Sequence, residues 1–342
     1  MLVFMVAGFA ACGSNQERIY VFNWGFFSDP EALRLFQEEY GIEIRYVNFD
    51  SNESMYAQFV DGGGVFDVIV PSEYMIERLI TEERIRQLDW SLIPNREHIA
   101  DRFWGHAHDP NNLYSVPYIW GTFGIVYNVN KIAELGIDEV YSWGILFDER
   151  LRDQIYLYFS SRCTMGMALQ YLGYSLNSTN VNEINRARDL LIEHSDLVRA
   201  FVTDQVITNM IGENAIVATA YNGCARWILD SNPNHNFVNP IEGMQMFLNS
   251  MVIPTTAQNP EGAHKFINFM ARPDIALMNA LYVQYSTTNY TALYMLPDEW
   301  RNCPIYWPSD EVLFGRGETL RCIGDFRDVL ETAWSQVLVA GN

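Results

Sequence analysis

The side chains best placed to do chemistry in this 342-residue chain are aromatic and polar residues that follow short apolar runs, and the chemistry they suit is recognition. Ile19 to Phe22 runs into Asn23-Trp24, and Val68 to Val70 runs into Pro71-Ser72-Glu73-Tyr74, each ahead of a helix-like stretch. In an open α/β sheet, ligands gather where loops leave the carboxyl ends of strands, because helix N-termini and free backbone amides converge there. Trp24, Ser72 and Tyr74 are therefore the first candidates for a binding cleft. Reactive sets are missing by contrast: the chain has no Gly-x-Ser-x-Gly elbow, no Walker sequence and no His-Glu-x-x-His. His106-Ala-His108, with His98 upstream, could put two imidazoles on one side of a strand and hold a metal. No carboxylate or cysteine pattern supports that, and a solvated loop is the simpler reading. Asp325 and Asp328, one turn apart, read as the solvated side of the last helix. The expectation is a binding protein with no catalytic residues, metal or cofactor.

The elements that would position these residues follow a strand-helix rhythm. Ser28 or Asp29 caps a helix from Pro30 that places Leu33, Phe36 and Tyr40 on one side and stops at Gly41. Ile42 to Val47 alternates as a strand, Ser51 caps a short helix over Met55 and Phe59, and Phe66 to Val70 is a buried strand. Such alternation means a parallel sheet with right-handed crossovers. Gly62-Gly63-Gly64 precedes a strand, so it is a turn and not a phosphate cradle. Further on, Tyr114 to Tyr118 and Gly124 to Tyr127 read as two strands, residues 182–200 as an amphipathic helix, and Ala215 to Tyr221 and Met251 to Pro254 as strands. Helices from Glu261 to Met270, stopped before Pro273, and from Asp325 to Leu338 complete the pattern. No internal repeat or low-complexity tract interrupts it.

Acidic residues number 42 against 22 basic ones, a net charge of -20, and Lys131 and Lys265 are the only lysines. This balance argues against a nucleic-acid partner, since phosphate contacts need a basic face. The apolar stretch from Leu2 to Ala11 is too short for a bilayer, which takes about 20 residues, but suits the apolar region of an export signal. An exported chain permits disulfides, so Cys163, Cys224, Cys303 and Cys322 form one or two bridges, with Cys303–Cys322 the favoured pair, or remain free thiols.

Several strings carry a family resemblance: Phe22-Asn-Trp24, Ser51-Asn-Glu-Ser-Met-Tyr56-Ala, Asp67-Val-Ile-Val-Pro-Ser72-Glu-Tyr74 and Asp109-Pro-Asn-Asn-Leu-Tyr-Ser-Val-Pro-Tyr-Ile-Trp-Gly121. Met167-Ala-Leu-Gln-Tyr-Leu-Gly-Tyr174, Asn259-Pro-Glu-Gly-Ala and Phe269-Met-Ala-Arg-Pro-Asp274 continue the series. In this order they resemble the bacterial spermidine/putrescine-binding proteins, extracytoplasmic receptors of polyamine ABC importers. The resemblance implies an α/β fold of the two-lobe periplasmic-binding-protein type (type II), each lobe a mixed sheet flanked by helices and joined by a hinge. It implies residues 18–126 plus 248–293 as one lobe and 127–247 plus 294–342 as the other. Phe9-Ala10-Ala11-Cys12 resembles a lipobox, which implies a lipoprotein signal over residues 1–11 and a membrane anchor on Cys12. The implied partners are a polyamine and the permease, and the implied state is a monomer.

Trp24, Ser72, Tyr74 and Tyr285 fall where the family carries ligand contacts, with Phe26 and Phe27 beside them. Tyr221 and Phe247 fall where the family usually has tryptophan. Ser160 and Cys163 stand where an Asp and a Glu are usual, Asn249 where an Asp holds an amine, and Arg321, by ungapped alignment, where a glutamine touches ligand. Three lost anions and one gained cation are the ground for a rival reading, a neutral, zwitterionic or anionic solute. Asp29, Asp50 or Glu73 turning inward, and hydroxyl, amide and carbonyl groups accepting from an ammonium, oppose it, and a polyamine stays the leading expectation.

Overall fold

The computed structural model describes residues 16–341. Cys12 and the apolar stretch before it lie outside the described residues. The first strand, β1 (Arg18–Trp24), is followed by helix α1 (Pro30–Tyr40), for which Asp29 supplies the cap by accepting from the Glu31 amide. Gly41, at φ 67, ends the helix in the left-handed conformation that glycine adopts without penalty. Strand β2 (Glu43–Phe49) runs parallel to β1, and the two-residue β3 (Val68–Ile69) is parallel to it on the other side. Ser51 closes a capping box on α2 (Asn52–Tyr56), and Ser72 is the extended residue that opens α3 (Glu73–Thr81). The crossovers expected from the sequence are present in this part of the chain.

One long strand then departs from expectation. β4 (Ser115–Asn128) is continuous for 14 residues where two separate strands were expected. Nearly every residue in it is buried on both faces, so no alternation marks its middle, and a register shift between Pro117 and Ile119 absorbs the proline that cannot donate. Asn128 caps α4 (Val129–Glu134) through its side-chain oxygen. The chain continues through β5 (Ile155–Tyr158), α5 (Ser161–Tyr171) and α6 (Val181–Glu193). The expected helix over 182–200 stops at Glu193, because Val198-Arg-Ala-Phe-Val202 is rich in β-branched and aromatic residues and forms strand β6. Next come α7 (Gln205–Ile211), β7 (Val217–Tyr221), α8 (Asn222–Ser231) and β8 (His235–Val238). Strand β9 (Met244–Val252) begins seven residues earlier than the sequence reading placed it.

After α9 (Pro260–Met270), Pro273 opens a further helix, α10 (Pro273–Val283), besides ending the previous one. Its fixed φ suits the first helical turn while holding Arg272 extended. The short β10 (Ser286–Thr287), α11 (Tyr290–Met295), α12 (Asp298–Arg301), α13 (Asp310–Arg316) and β11 (Gly317–Thr319) lead to the closing helix α14 (Phe326–Ala340).

The sheet order is β2-β1-β3-β9-β4-β7-β5-β6. It is parallel at both ends and antiparallel in the middle, where β9 and β4 pair from Ser115–Val252 to Phe123–Gln245. Past Phe123, β4 pairs with β7 and β8 instead. The two largest apolar clusters among the described residues both draw on this pair: one joins Ile19, Phe36, Phe266 and Phe269 to Val116 and Met251, the other joins Trp143, Leu151, Leu157 and Trp334 to Phe123 and Ile125. Burying a large apolar side chain contributes about 1.5–3 kcal/mol, so each core sustains its own half and β4 with β9 joins them.

All four described cysteines are free thiols, including Cys303 and Cys322. Cys303 packs beside Leu296, Trp300 and Tyr306. Helix α13 and strand β11 carry Cys322 away to α3, where its amide donates to Glu77 at 2.9 Å and the expected bridge does not form.

Candidate binding cleft

Both strand ends singled out in the sequence meet at one place. Trp24 ends β1 and donates its indole N–H to the Val70 carbonyl at 2.9 Å, while its ring rests 4.6 Å from that of Phe49. The turn that follows holds Phe26 at φ 57 with its side chain 82% exposed, so Phe26 is not brought to the cluster. Phe27 turns inward instead, its ring 6.3 Å from Trp24 and 5.4 Å from Tyr285. Phe247, in the middle of β9, stands edge-on to Tyr285 at 5.5 Å and to Tyr221 at 5.2 Å. Trp24, Phe27, Tyr285, Phe247 and Tyr221 thus form a row of rings that passes from one apolar core to the other.

Close backbone approach makes the row possible. A Cβ at Gly223, in the first turn of α8, would stand 2.5 Å from the Tyr285 ring. One at Gly121 on β4 would meet Phe247 at 2.7 Å. Both glycines are therefore required by contact and not by conformation.

Polar groups at the candidate site are tightly engaged on the α3 side. The Ser72 hydroxyl donates to Asn249 at 2.8 Å, and the Ser72 amide donates to Asn52 at 3.1 Å. Asn52 in turn donates to the Tyr74 hydroxyl at 3.0 Å, which donates to Glu53 at 2.9 Å. Glu73 is 1% exposed and accepts from the Leu248 and Leu320 amides at 2.9 and 3.1 Å. Burial outweighs those amide bonds and holds its carboxyl at about 7. The Tyr74, Tyr221 and Tyr285 hydroxyls are all raised well above their ordinary value, chiefly by burial.

The α5 side is less engaged. Ser160 caps α5 by accepting from the Cys163 amide at 3.4 Å. The Cys163 thiol lies 3.1 Å from the Tyr221 hydroxyl, and burial raises its pKa. Cys224 lies 3.6 Å from the Tyr285 hydroxyl and is pushed up to about 12, again by burial. Thiols held in the protonated form are poor nucleophiles.

Arg321 does not face the cleft as the ungapped alignment expected. Parallel pairing of β11 with β9 turns Leu320 inward, 3% exposed, and Arg321 instead donates to Glu77 of α3 at 3.0 and 2.6 Å. Of the three carboxylates expected to be able to turn inward, Asp29 caps α1 and Glu73 holds two amides, while Asp50 is exposed and lacks an ion-pair partner among the described residues. Sequence reasoning missed Asn52, Glu53 and Arg162. The guanidinium of Arg162 is buried 5.4 Å from the Tyr74 ring. The one available signal was a cation in the first turn of a helix, the end where the dipole disfavours it.

His106 and His108 lie in a loop as expected, but only His106 is partly exposed, and His108 is buried. Their rings stack at 5.9 Å, and burial drives His108 down to about 4. Among the described residues no three His, Cys, Asp or Glu side chains are grouped to hold a metal ion. A separate surface depression of about 460 Å³ is lined by Trp90 and Trp104, whose rings touch edge to face at 5.7 Å, together with Glu97 and Asp101.

Residues 31–306 match the family model of the bacterial extracellular solute-binding proteins. The chain belongs to this family. It is 33% identical to the spermidine/putrescine-binding periplasmic protein of Salmonella typhimurium, over 97% of this chain and 94% of that one. The putrescine-binding periplasmic protein SpuD of Pseudomonas aeruginosa is 31% identical, over 90% of this chain and 88% of its own length. Among solved structures, a spermidine/putrescine ABC transporter protein from Listeria monocytogenes superposes with a TM-score of 0.88 at 38% identity, covering 95% of this chain and 98% of that one. The spermidine/putrescine ABC transporter substrate-binding protein PotD from Streptococcus pneumoniae gives 0.83 at 35% identity, covering 95% and 100%. The fold of this solute-binding protein is accordingly the two-lobe type II periplasmic-binding-protein fold, and its family is one of transport receptors and not of enzymes.

Proposed function

We propose that the protein is the receptor of an ABC importer that closes two lobes over an elongated aliphatic amine of the polyamine class and delivers it to the permease without chemical change. The observation that carries this reading is the row of rings from Trp24 to Tyr221, drawn from elements on both sides of the β4–β9 pair. Aromatic walls bury methylenes at about 0.8 kcal/mol each and attract an ammonium through the ring quadrupole. The names of the relatives, which bind spermidine or putrescine, support the same ligand class.

In this reading Trp24, Ser72, Tyr74, Tyr221, Phe247, Asn249 and Tyr285 line the site, with Phe27, Ser160 and Cys163 at its margin. The lobes comprise residues 18–126 plus 248–293 and 127–247 plus 294–342, and β4 and β9 carry the hinge. A ligand that touches both lobes favours the closed state, which docks on the permease. The receptor works as a monomer on the outer face of the cell membrane, tethered by a lipid on Cys12.

A thermal-melt screen against diamines, triamines, linear amino acids, organic acids and sugars tests the proposal. A rise in melting temperature confined to linear amines is expected. No rise with any compound of that class would overturn it.

A further inference from the structure

Building on the receptor reading and its division into lobes, we infer that Glu73 is a latch. It holds a strap of the second lobe, residues 319–322, against α3 of the first, so that the lobes close before any solute arrives. The solute then adds to a closure that the protein already favours.

The strap leaves the sheet at the end of β11, where parallel pairing with Met244 to Met246 of β9 turns Leu320 inward. Its own lobe holds it by the backbone. The Asn177 side chain donates to the Thr319 carbonyl and accepts from the Arg321 amide, both at 2.8 Å. Arg162, 7% exposed, donates one terminal nitrogen to the Arg321 carbonyl at 3.2 Å and the other to Asn177 at 3.0 Å. The buried guanidinium is thereby committed to shaping the strap.

The first lobe holds the strap through α3. Glu73, in the first turn of that helix and 1% exposed, accepts from the Leu320 amide with one carboxyl oxygen at 3.1 Å and from the Leu248 amide of β9 with the other at 2.9 Å. One turn on, Glu77 accepts from the Cys322 amide at 2.9 Å and from the Arg321 guanidinium at 3.0 and 2.6 Å. The Glu73 carboxyl thus joins three parts that closure must bring together: α3, the strand between the lobes, and the strap.

The two acids do not contribute equally. Leu248 and Leu320 are both buried, so without Glu73 their amides lose their acceptors in the closed form, a cost that opening relieves by admitting water. The Arg321–Glu77 pair is half exposed on the arginine side and adds little to the hold. Neither Glu73 nor any residue of the strap is among the side chains assigned above to the ligand, so these bonds are available with or without solute. A latched receptor admits its solute only while open, and the rate of association therefore scales with the fraction of open molecules.

Stopped-flow tryptophan fluorescence with spermidine and putrescine, joined to small-angle scattering, tests the inference. Wild-type scattering without solute is expected to match that with whichever of the two binds. Glu73→Ala, its folding checked by circular dichroism, should associate about 5–150-fold faster, the factor by which losing the buried bonds lowers the closed-to-open ratio. Contraction of the wild type on adding solute, an unchanged rate in Glu73→Ala, or a rise confined to Glu77→Ala would overturn the inference while leaving the receptor reading intact. Should Glu73→Ala fail to fold, hydrogen exchange decides. The Leu320 amide should be protected in the solute-free wild type, and exchange at the rate of an exposed amide would overturn the inference. A blank melt screen would instead sink the receptor reading, and the latch would still stand or fall on that exchange.

Discussion

The two walls of the candidate cleft differ in how completely their polar groups are satisfied. On the side built from β1, α2 and α3, Ser72, Asn52, Tyr74 and Glu53 form an unbroken chain of hydrogen bonds with Asn249 at its end. On the side built from α5 and β7, Tyr221 meets a thiol and Arg162 keeps a buried nitrogen without a partner. A satisfied network fixes its members before a ligand arrives, whereas an unsatisfied group costs free energy until something pairs with it. The first wall is therefore a preformed platform, and the second is where selection among ligands is expected to operate.

The strongest way to break this picture is to hold the walls apart. Gly223→Val would place atoms inside the Tyr285 ring, and overpacking of that kind costs about 1–3 kcal/mol. Affinity for whichever linear amine binds should fall about 10–100-fold by calorimetry; unchanged affinity would mean that Tyr285 and α8 do not come together around the ligand. A smaller test compares two hydroxyls. Tyr74→Phe removes the link between Asn52 and Glu53 and should lower stability to urea by about 1–2 kcal/mol. Tyr221→Phe gives up only a thiol contact and should lower it less; equal losses would erase the distinction between the walls.

Glu73 ties the platform to the joining strand, and its pH dependence sharpens the comparison further. A carboxyl whose folded pKa, about 7, lies above its ordinary 4.5 binds its proton more tightly in the folded state. Its contribution is complete below pH 4.5 and is lost as pH rises through about 7. Wild-type stability should therefore decline relative to Glu73→Gln across that window in urea titrations. A constant difference between the two would show that Glu73 ionises normally. The smallest effect belongs to the Arg321–Glu77 pair, half exposed on the arginine side. A double-mutant cycle should give a coupling of about 0–1 kcal/mol, and a larger value would make this pair a second latch between α3 and the segment after β11.

The strand ends were legible in the sequence because punctuation and pattern agree there: Asp29-Pro30 opens α1, Gly41 closes it, and Ser51 and Ser72 open the next two helices. The aromatic row was legible through the family resemblance, since a ring alone does not say whether it faces a core or a cleft. What stayed hidden depended on pairing across long separations. β4 looked like two strands because burial on both faces removes the period-two signal. Arg321 looked inward until the pairing of β11 with β9 set its register. Arg162 carries one local mark, a cation in the first turn of a helix, and its isolation is visible only once the acids around it are seen to be bonded elsewhere.

A crystal structure grown with the linear amine that most raises the melting temperature tests the central claim most directly. The account predicts an elongated ligand bounded by Trp24, Tyr74, Tyr221 and Tyr285. Density in the depression lined by Trp90 and Trp104 instead, with the row of rings still in mutual contact, would contradict it.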